Sequence, residues 1–143
     1  MSEHTPQRAH LGAAHARSAA GYAVSIRCRG HDLVADEPRS TGGTDTGPNP
    51  VELLLAGVAG CTAITLRMYA DRKGWVLGEV KVDCALAEDE AGAKRIERRI
   101  RIGVPLDDAQ RARLLEIAGK TPVTRLVTAA TPIETALSEG AIP

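Results

Sequence analysis

Two hydrophobic rhythms run along this chain, one with a period of two and one close to three and a half. From Ala23 to Cys28 apolar and polar side chains alternate, with Val24, Ile26 and Cys28 on one face and Ala23, Ser25 and Arg27 on the other. That rhythm predicts a half-buried strand. "GHD" (residues 30–32) predicts a turn and "LVA" (33–35) a returning strand, ended by Pro38. "RSTGGTDTGPNP" (39–50) is a loop by composition. "EVKVDCALA" (79–87) alternates again, with Val80, Val82, Cys84 and Leu86 inward. In "KRIERRIRIGV" (94–104), Ile96, Ile100 and Ile102 point inward while Arg95, Glu97, Arg99 and Arg101 point outward; Arg98 breaks the apolar face.

The longer rhythm begins at Asn49-Pro50-Val51-Glu52. Asn is a good N-cap, Pro suits the first helical position, and Glu three residues after the cap completes a capping-box pattern. The helix is expected to run to about Lys73, with Gly74 as its C-cap and Arg67, Arg72 and Lys73 near its negative end. Residues 53–66 carry no charge. Apolar on every side, such a helix is expected to be buried all round. "DDAQRARLLEIAGK" (107–120) predicts a second helix capped by Asp107 or Asp108. "TPVTRLV" (121–127) predicts a short third, with Thr121 as N-cap, and "TPIETAL" (131–137) a last strand. The sum is an α+β fold, a mostly antiparallel sheet packed on one long buried central helix.

Composition narrows the function. A chain of 143 residues suits one domain, read as residues 21–143 behind a flexible N-terminal tail (1–20) whose end joins a first strand. Formal net charge is zero, which gives no general attraction for nucleic acid or an anionic membrane, and none is expected as a partner. The Arg-rich strand lacks aromatic partners, so a solvated sheet face is its expected role. The uncharged run is too short to span a bilayer, and the N-terminus lacks the apolar core of a signal peptide; a cytoplasmic protein is expected. His4, His10 and His15 are too loosely spaced for a metal site, and neither metal nor cofactor is expected. Cys28, Cys61 and Cys84 form no CxxC pair and are expected to be free thiols.

Cys28 and Cys84 read as core thiols on inward strand faces. Cys61, inside the apolar helix, has two readings: a small buried hydrophobe or a nucleophile held out of water. Gly57 and Gly60 flank it, and each costs about 1 kcal/mol in a helix interior, which suggests close backbone approach or space for a ligand. A buried thiol is inert unless a cation stabilises its thiolate. Arg17, Arg27, Arg29, Arg39, Arg67 and Arg72 are available, and Glu52 is either a helix cap or the orienter of such an Arg.

"DEPRSTGGTDTGPNPVELLLAGVAGCTAITLRMYADRKGW" (36–75) resembles the OsmC/Ohr family of osmotically inducible and organic hydroperoxide resistance proteins. "IERRIRIGVPLDDAQRARLLEIAGKTPVTRL" (96–126) resembles the family's second motif region. The Gly-x-Asn-Pro helix entry with a Cys twelve residues after the Asn is the specific part. The resemblance implies an intertwined homodimer and a thiol peroxidase in the oxidative stress response, with Cys61 as peroxidatic residue and an organic or lipid hydroperoxide as substrate. It also implies an N-terminal Arg at the thiolate, a Glu paired with that Arg, and a resolving Cys in a Cys-Pro-Val motif. Two positions depart from the pattern. Thr121-Pro122-Val123 stands where Cys-Pro-Val is expected, and Val51 stands where the Glu usually lies, Glu52 being about 100° further round the helix. Two functions therefore remain open. One is a one-cysteine peroxidase using Cys61 and an external thiol reductant. The other is a catalytically impaired relative binding a small apolar ligand in the dimer cleft.

Overall fold

The computed structural model describes residues 8–143 and divides into two compact units, the first ending at Leu54 and the second beginning at Leu55. His4 lies outside the described residues, as does that part of the expected tail. The first unit holds a three-stranded antiparallel sheet in the order β1-β2-β3: His15–Arg17, Val24–Cys28 and His31–Ala35. Val24, Ile26 and Cys28 are half-buried, as the alternation predicts, and their neighbours are exposed. The turn differs from expectation. Cys28 pairs with His31 and Arg27 with Asp32, so only Arg29 and Gly30 lie between the strands. Arg29 takes φ 55° to close the hairpin, which leaves His31 and Asp32, both exposed, to continue the ladder. Arg27 and Asp32 then face each other at 3.8 Å.

The loop that follows is organised by one carboxylate. Asp36 is buried, and it accepts from the hydroxyls of Thr44 (2.6 Å) and Thr46 (2.7 Å) and from the backbone N–H of Thr46 (3.1 Å) and Glu37 (2.8 Å). A polar loop with no core of its own is held in shape by these bonds. It leads into α1 (Pro50–Lys73), whose start is the expected capping box. Asn49 Oδ1 accepts from Glu52 N (2.8 Å), and Glu52 Oε1 accepts from Asn49 N (3.0 Å). Gly74, at φ 68°, ends the helix.

In the second unit β4 (Val80–Glu88) and β5 (Lys94–Ile102) form an antiparallel hairpin, followed by α2 (Asp108–Ala118) and α3 (Pro122–Thr128). Asp107 caps α2 through a capping box with Gln110, and Thr121 caps α3 with Pro122 in its first turn. The core joins Leu66, Tyr69 and Ala70 of α1 to Leu77 and to Leu114 and Ala118 of α2. The half-buried Val80, Ile100 and Ile102 of the hairpin pack against it. With no Phe in the chain the core is aliphatic apart from Tyr69 and Trp75, whose rings meet edge to face at 5.6 Å. The architecture is α+β, with antiparallel sheets and a central helix.

Three expectations are corrected. First, α1 is not buried all round. Its buried residues are Val58, Thr62, Leu66, Tyr69 and Ala70, one stripe at helical spacing, while Leu54, Ile64 and Met68 are 50, 62 and 58% exposed. A single hairpin and α2 are too narrow to enclose a helix from every side. At 24 residues α1 is also long and apolar enough, by length and composition alone, to cross a membrane, a test that the core helix of a soluble fold passes too. Second, residues 131–137 form no strand, and Ile133 and Leu137 are almost fully exposed. They pair with neither sheet. Third, Leu86 is exposed, because the burial alternation of β4 slips near its far end.

Asp36 makes the first unit sensitive to acid. Hydrogen bonds from Thr44 and Thr46 hold its carboxyl well below the usual carboxylate range. A depressed folded-state value contributes stability that is present above the unfolded value, near 4, and lost as pH falls below it. The protection factor of the Thr46 amide hydrogen should therefore be high at pH 6 and fall as the pH drops below 4. Asp36→Asn should lose that protection at both pH values.

Candidate functional site

Cys61 lies about three turns into the chain's longest helix, half-buried, at the margin between the buried stripe and the exposed residues Ile64 and Met68. Its sulfur approaches the hydroxyl of Thr65, one turn on, at 3.9 Å. Gly57 and Gly60 have open space where a Cβ would stand. Close approach by another part of this chain is therefore not what their small size serves. Both are exposed, on the side of α1 that the chain leaves uncovered. All three cysteines are free and half-buried.

The helix cap is the role that Glu52 fills, and among the described residues it makes no ion pair. Arg67 donates to the Gly78 carbonyl, and Arg27 to that of Arg29. Neither is held by a carboxylate in the manner of a guanidinium oriented toward a thiolate; the ion pair of Arg27 with Asp32 lies on the exposed face of its sheet.

Thr121 is fully buried. Its side-chain oxygen accepts from Thr124 N (3.3 Å) and shares a 2.7 Å hydrogen bond with the Thr124 hydroxyl. That hydroxyl also accepts from Arg98 Nη1 at 2.9 Å, and the same nitrogen donates to the Thr62 hydroxyl at 3.0 Å. Thr62 in turn donates to the Val58 carbonyl. A continuous polar chain thus runs from Thr121 through Thr124 and Arg98 to Thr62, the residue next to Cys61. The relay ends at Thr62, and no hydrogen bond joins it to Cys61, whose sulfur approaches only the Thr65 hydroxyl. A buried polar network of this kind is stable only when each member is satisfied, and here no buried side-chain nitrogen or oxygen lacks a partner among the described residues.

Arg98 was the residue whose part the sequence reading missed. Its interruption of the Ile96–Ile100 alternation was the visible signal. Across the β4–β5 ladder it stands opposite Cys84. Burial pushes the Cys84 thiol up, while the Arg98 guanidinium pulls it down and Asp83 adds to the rise. The net direction is upward, so Cys84 stays a protonated core thiol, as its inward strand position predicts. The outward residues Arg95, Glu97, Arg99 and Arg101 are exposed, the solvated face expected of them. Among the described residues no cluster of His, Cys, Asp and Glu could hold a metal ion.

Residues 43–136 match the family model described as OsmC-like protein. No curated protein matches the chain. Several solved structures do. An OsmC like protein from Mycoplasma pneumoniae aligns at 14% identity over 87% of this chain and 90% of that one, with a TM-score of 0.66. An organic hydroperoxide resistance protein OsmC from Legionella pneumophila aligns at 20% over 85% and 91%, with a TM-score of 0.60. The organic hydroperoxide resistance protein OhrB of Bacillus subtilis aligns at 24% over 82% and 90%, with a TM-score of 0.56. At these identities the likeness is one of fold.

The capping role of Thr121 sets a measurable cost. Thr121→Val keeps the volume but removes the cap and the contact to Thr124, and should lower the unfolding free energy by about 1 kcal/mol in urea denaturation. Thr121→Ser, which keeps the oxygen, should lose less.

Proposed function

The chain belongs to the OsmC-like protein family, and from that membership we propose that it is a one-cysteine thiol peroxidase acting on organic hydroperoxides. A peroxide-related stress function is what the family and its hydroperoxide-resistance neighbours support. The observation that carries the finer reading is a half-buried cysteine on the central helix, twelve residues after the capping Asn49, in the matched region. In this reading residues 21–143 act as one domain in the cytoplasm.

The chemistry is short. The Cys61 thiolate attacks the terminal oxygen of ROOH; an S–O bond forms, the O–O bond breaks, and the departing alkoxide takes a proton to become ROH. Cys61 is left as a sulfenic acid. With Thr at position 121 no thiol of that motif can close a disulfide. An external thiol must then displace water to give a mixed disulfide, and a second must release Cys61 as the thiol and carry away the disulfide. The apolar residues beside Cys61 on α1 suit a hydrocarbon R group. A second reading is favoured by the buried hydroxyl of Thr121: a relative without turnover, with Cys61 as one wall of an apolar ligand cleft.

Oxidation separates the two. With one equivalent of cumene hydroperoxide, mass spectrometry should find Cys61 oxidised first, as sulfenic acid, passing to sulfinic acid under excess peroxide with no intramolecular disulfide. Equal, slow oxidation of Cys28, Cys61 and Cys84 would favour the ligand cleft.

The same reading includes a homodimer. Leu54, Ile64 and Met68 leave an apolar side of α1 in water, and a second copy laid against it would remove that surface. Sedimentation at micromolar concentration should give twice the 15.1 kDa of the chain; a stable monomer would overturn this part.

A further inference from the structure

Among the half-buried side chains of the β4–β5 hairpin Arg98 is the one charge. Beside it is a recess of about 160 Å³, walled by Val58 of α1, Ile96 and Arg98 of β5, and Thr124, Val127 and Thr128 at α3. Arg98 is the one charged residue of this lining among the described residues. A guanidinium keeps its charge at any ordinary pH and offers five N–H donors. Two are spent, both on Nη1, in the bonds to Thr62 and Thr124. No carboxylate of the described residues pairs with Arg98. Since no buried side-chain nitrogen lacks a partner, its remaining N–H groups reach accessible space.

The unspent donors are those of Nε and Nη2. They form the side-on edge of the guanidinium, two parallel N–H groups at the spacing of a carboxylate. The two hydroxyl bonds fix the plane of the group, so this edge is oriented before any ligand arrives. A half-buried cation without a counter-ion is a cost to the fold that an entering anion offsets.

We propose that this recess binds a small organic monocarboxylate with an apolar body. The carboxylate is taken on the Nε–Nη2 edge of Arg98, and the hydrocarbon lies against Val58, Ile96 and Val127. A single fixed cation with no Lys or second Arg beside it suits one negative charge better than a phosphate. The volume sets the size: a cavity of about 150 Å³ admits benzene, so the body is on the order of six carbons. Nothing in this site requires Cys61 to react.

The test uses the full chain and three probes: hexanoate, acetate as charge without tail, and hexan-1-ol as tail without charge. Hexanoate should bind with a calorimetric signal and shift the amide resonances of Thr124, Val127 and Thr128. Acetate and hexan-1-ol should each bind at least about tenfold more weakly, and Arg98→Gln should weaken hexanoate by about tenfold or more. Val127→Asp alters a side chain at the rim and places a negative charge beside the site. It should abolish hexanoate binding with the circular dichroism spectrum unchanged, and it serves in place of Arg98→Gln if that variant does not fold. No shift at α3 with hexanoate, or equal binding by a folded Arg98→Gln or Val127→Asp variant, would overturn the proposal.

Discussion

One helix is apolar around most of its circumference, and the chain has enough structure to cover only one stripe of it. The rest of the second unit follows from that imbalance. Leu66 and Ala70 are sealed because α2 and the β4–β5 hairpin close over them. Burial of a Leu side chain stabilises by roughly 1.5–3 kcal/mol, so the covered stripe is where the helix earns its place. Tyr69 ends the stripe as a bridge: its ring packs on Trp75, and its hydroxyl accepts from Arg113 of α2 at 2.8 Å. Arg113 and Lys120 both reach Glu116 on the outer side of α2, and these two bonds, that of Lys120 foremost, hold the Glu116 carboxyl down at about 2. Where the covering elements stop, the helix remains apolar and wet. Cys61 sits on that margin.

Local signals in the sequence were legible wherever the physics was local. The capping box of Asn49 and Glu52, the Asp107 and Thr121 caps and the two alternating strands of the hairpin depend on neighbours within a turn or two, and each forms as read. The errors arise where the answer lay elsewhere in the chain. Uniform apolarity along residues 53–66 cannot say how many elements are available to bury it. "TPIETAL" has strand composition, and composition cannot say whether a segment will pair with a sheet; here it pairs with neither. The turn falls at residues 29–30, with Arg29 at positive φ, and His31 and Asp32 of "GHD" are ladder positions paired with Cys28 and Arg27.

Of the site, Cys61 and Thr121 could be named from the motif and Arg98 could not. Its partners lie 36 and 26 residues away, at Thr62 and Thr124, and nothing in a one-dimensional pattern joins them. Thr121 does more than cap α3. A hydroxyl hydrogen-bonds far better than a thiol, and the Thr121–Thr124–Arg98–Thr62 relay is built of such bonds. A cation in the middle of an aliphatic sheet face is tolerable only with acceptors to hold it, and Thr62 and Thr124 supply them. The Thr121–Thr124–Arg98–Thr62 network therefore lies against the buried face of the helix that carries Cys61.

Turnover is the most direct test of the chemistry assigned to Cys61. Cumene hydroperoxide loss would be followed with dithiothreitol as reductant, in the native chain, a Cys28→Ser/Cys84→Ser double variant and Cys61→Ser. Catalytic loss that is equal in the first two and absent in Cys61→Ser is the predicted result. Loss at the uncatalysed rate in the native chain, or catalysis that survives Cys61→Ser, would contradict the account.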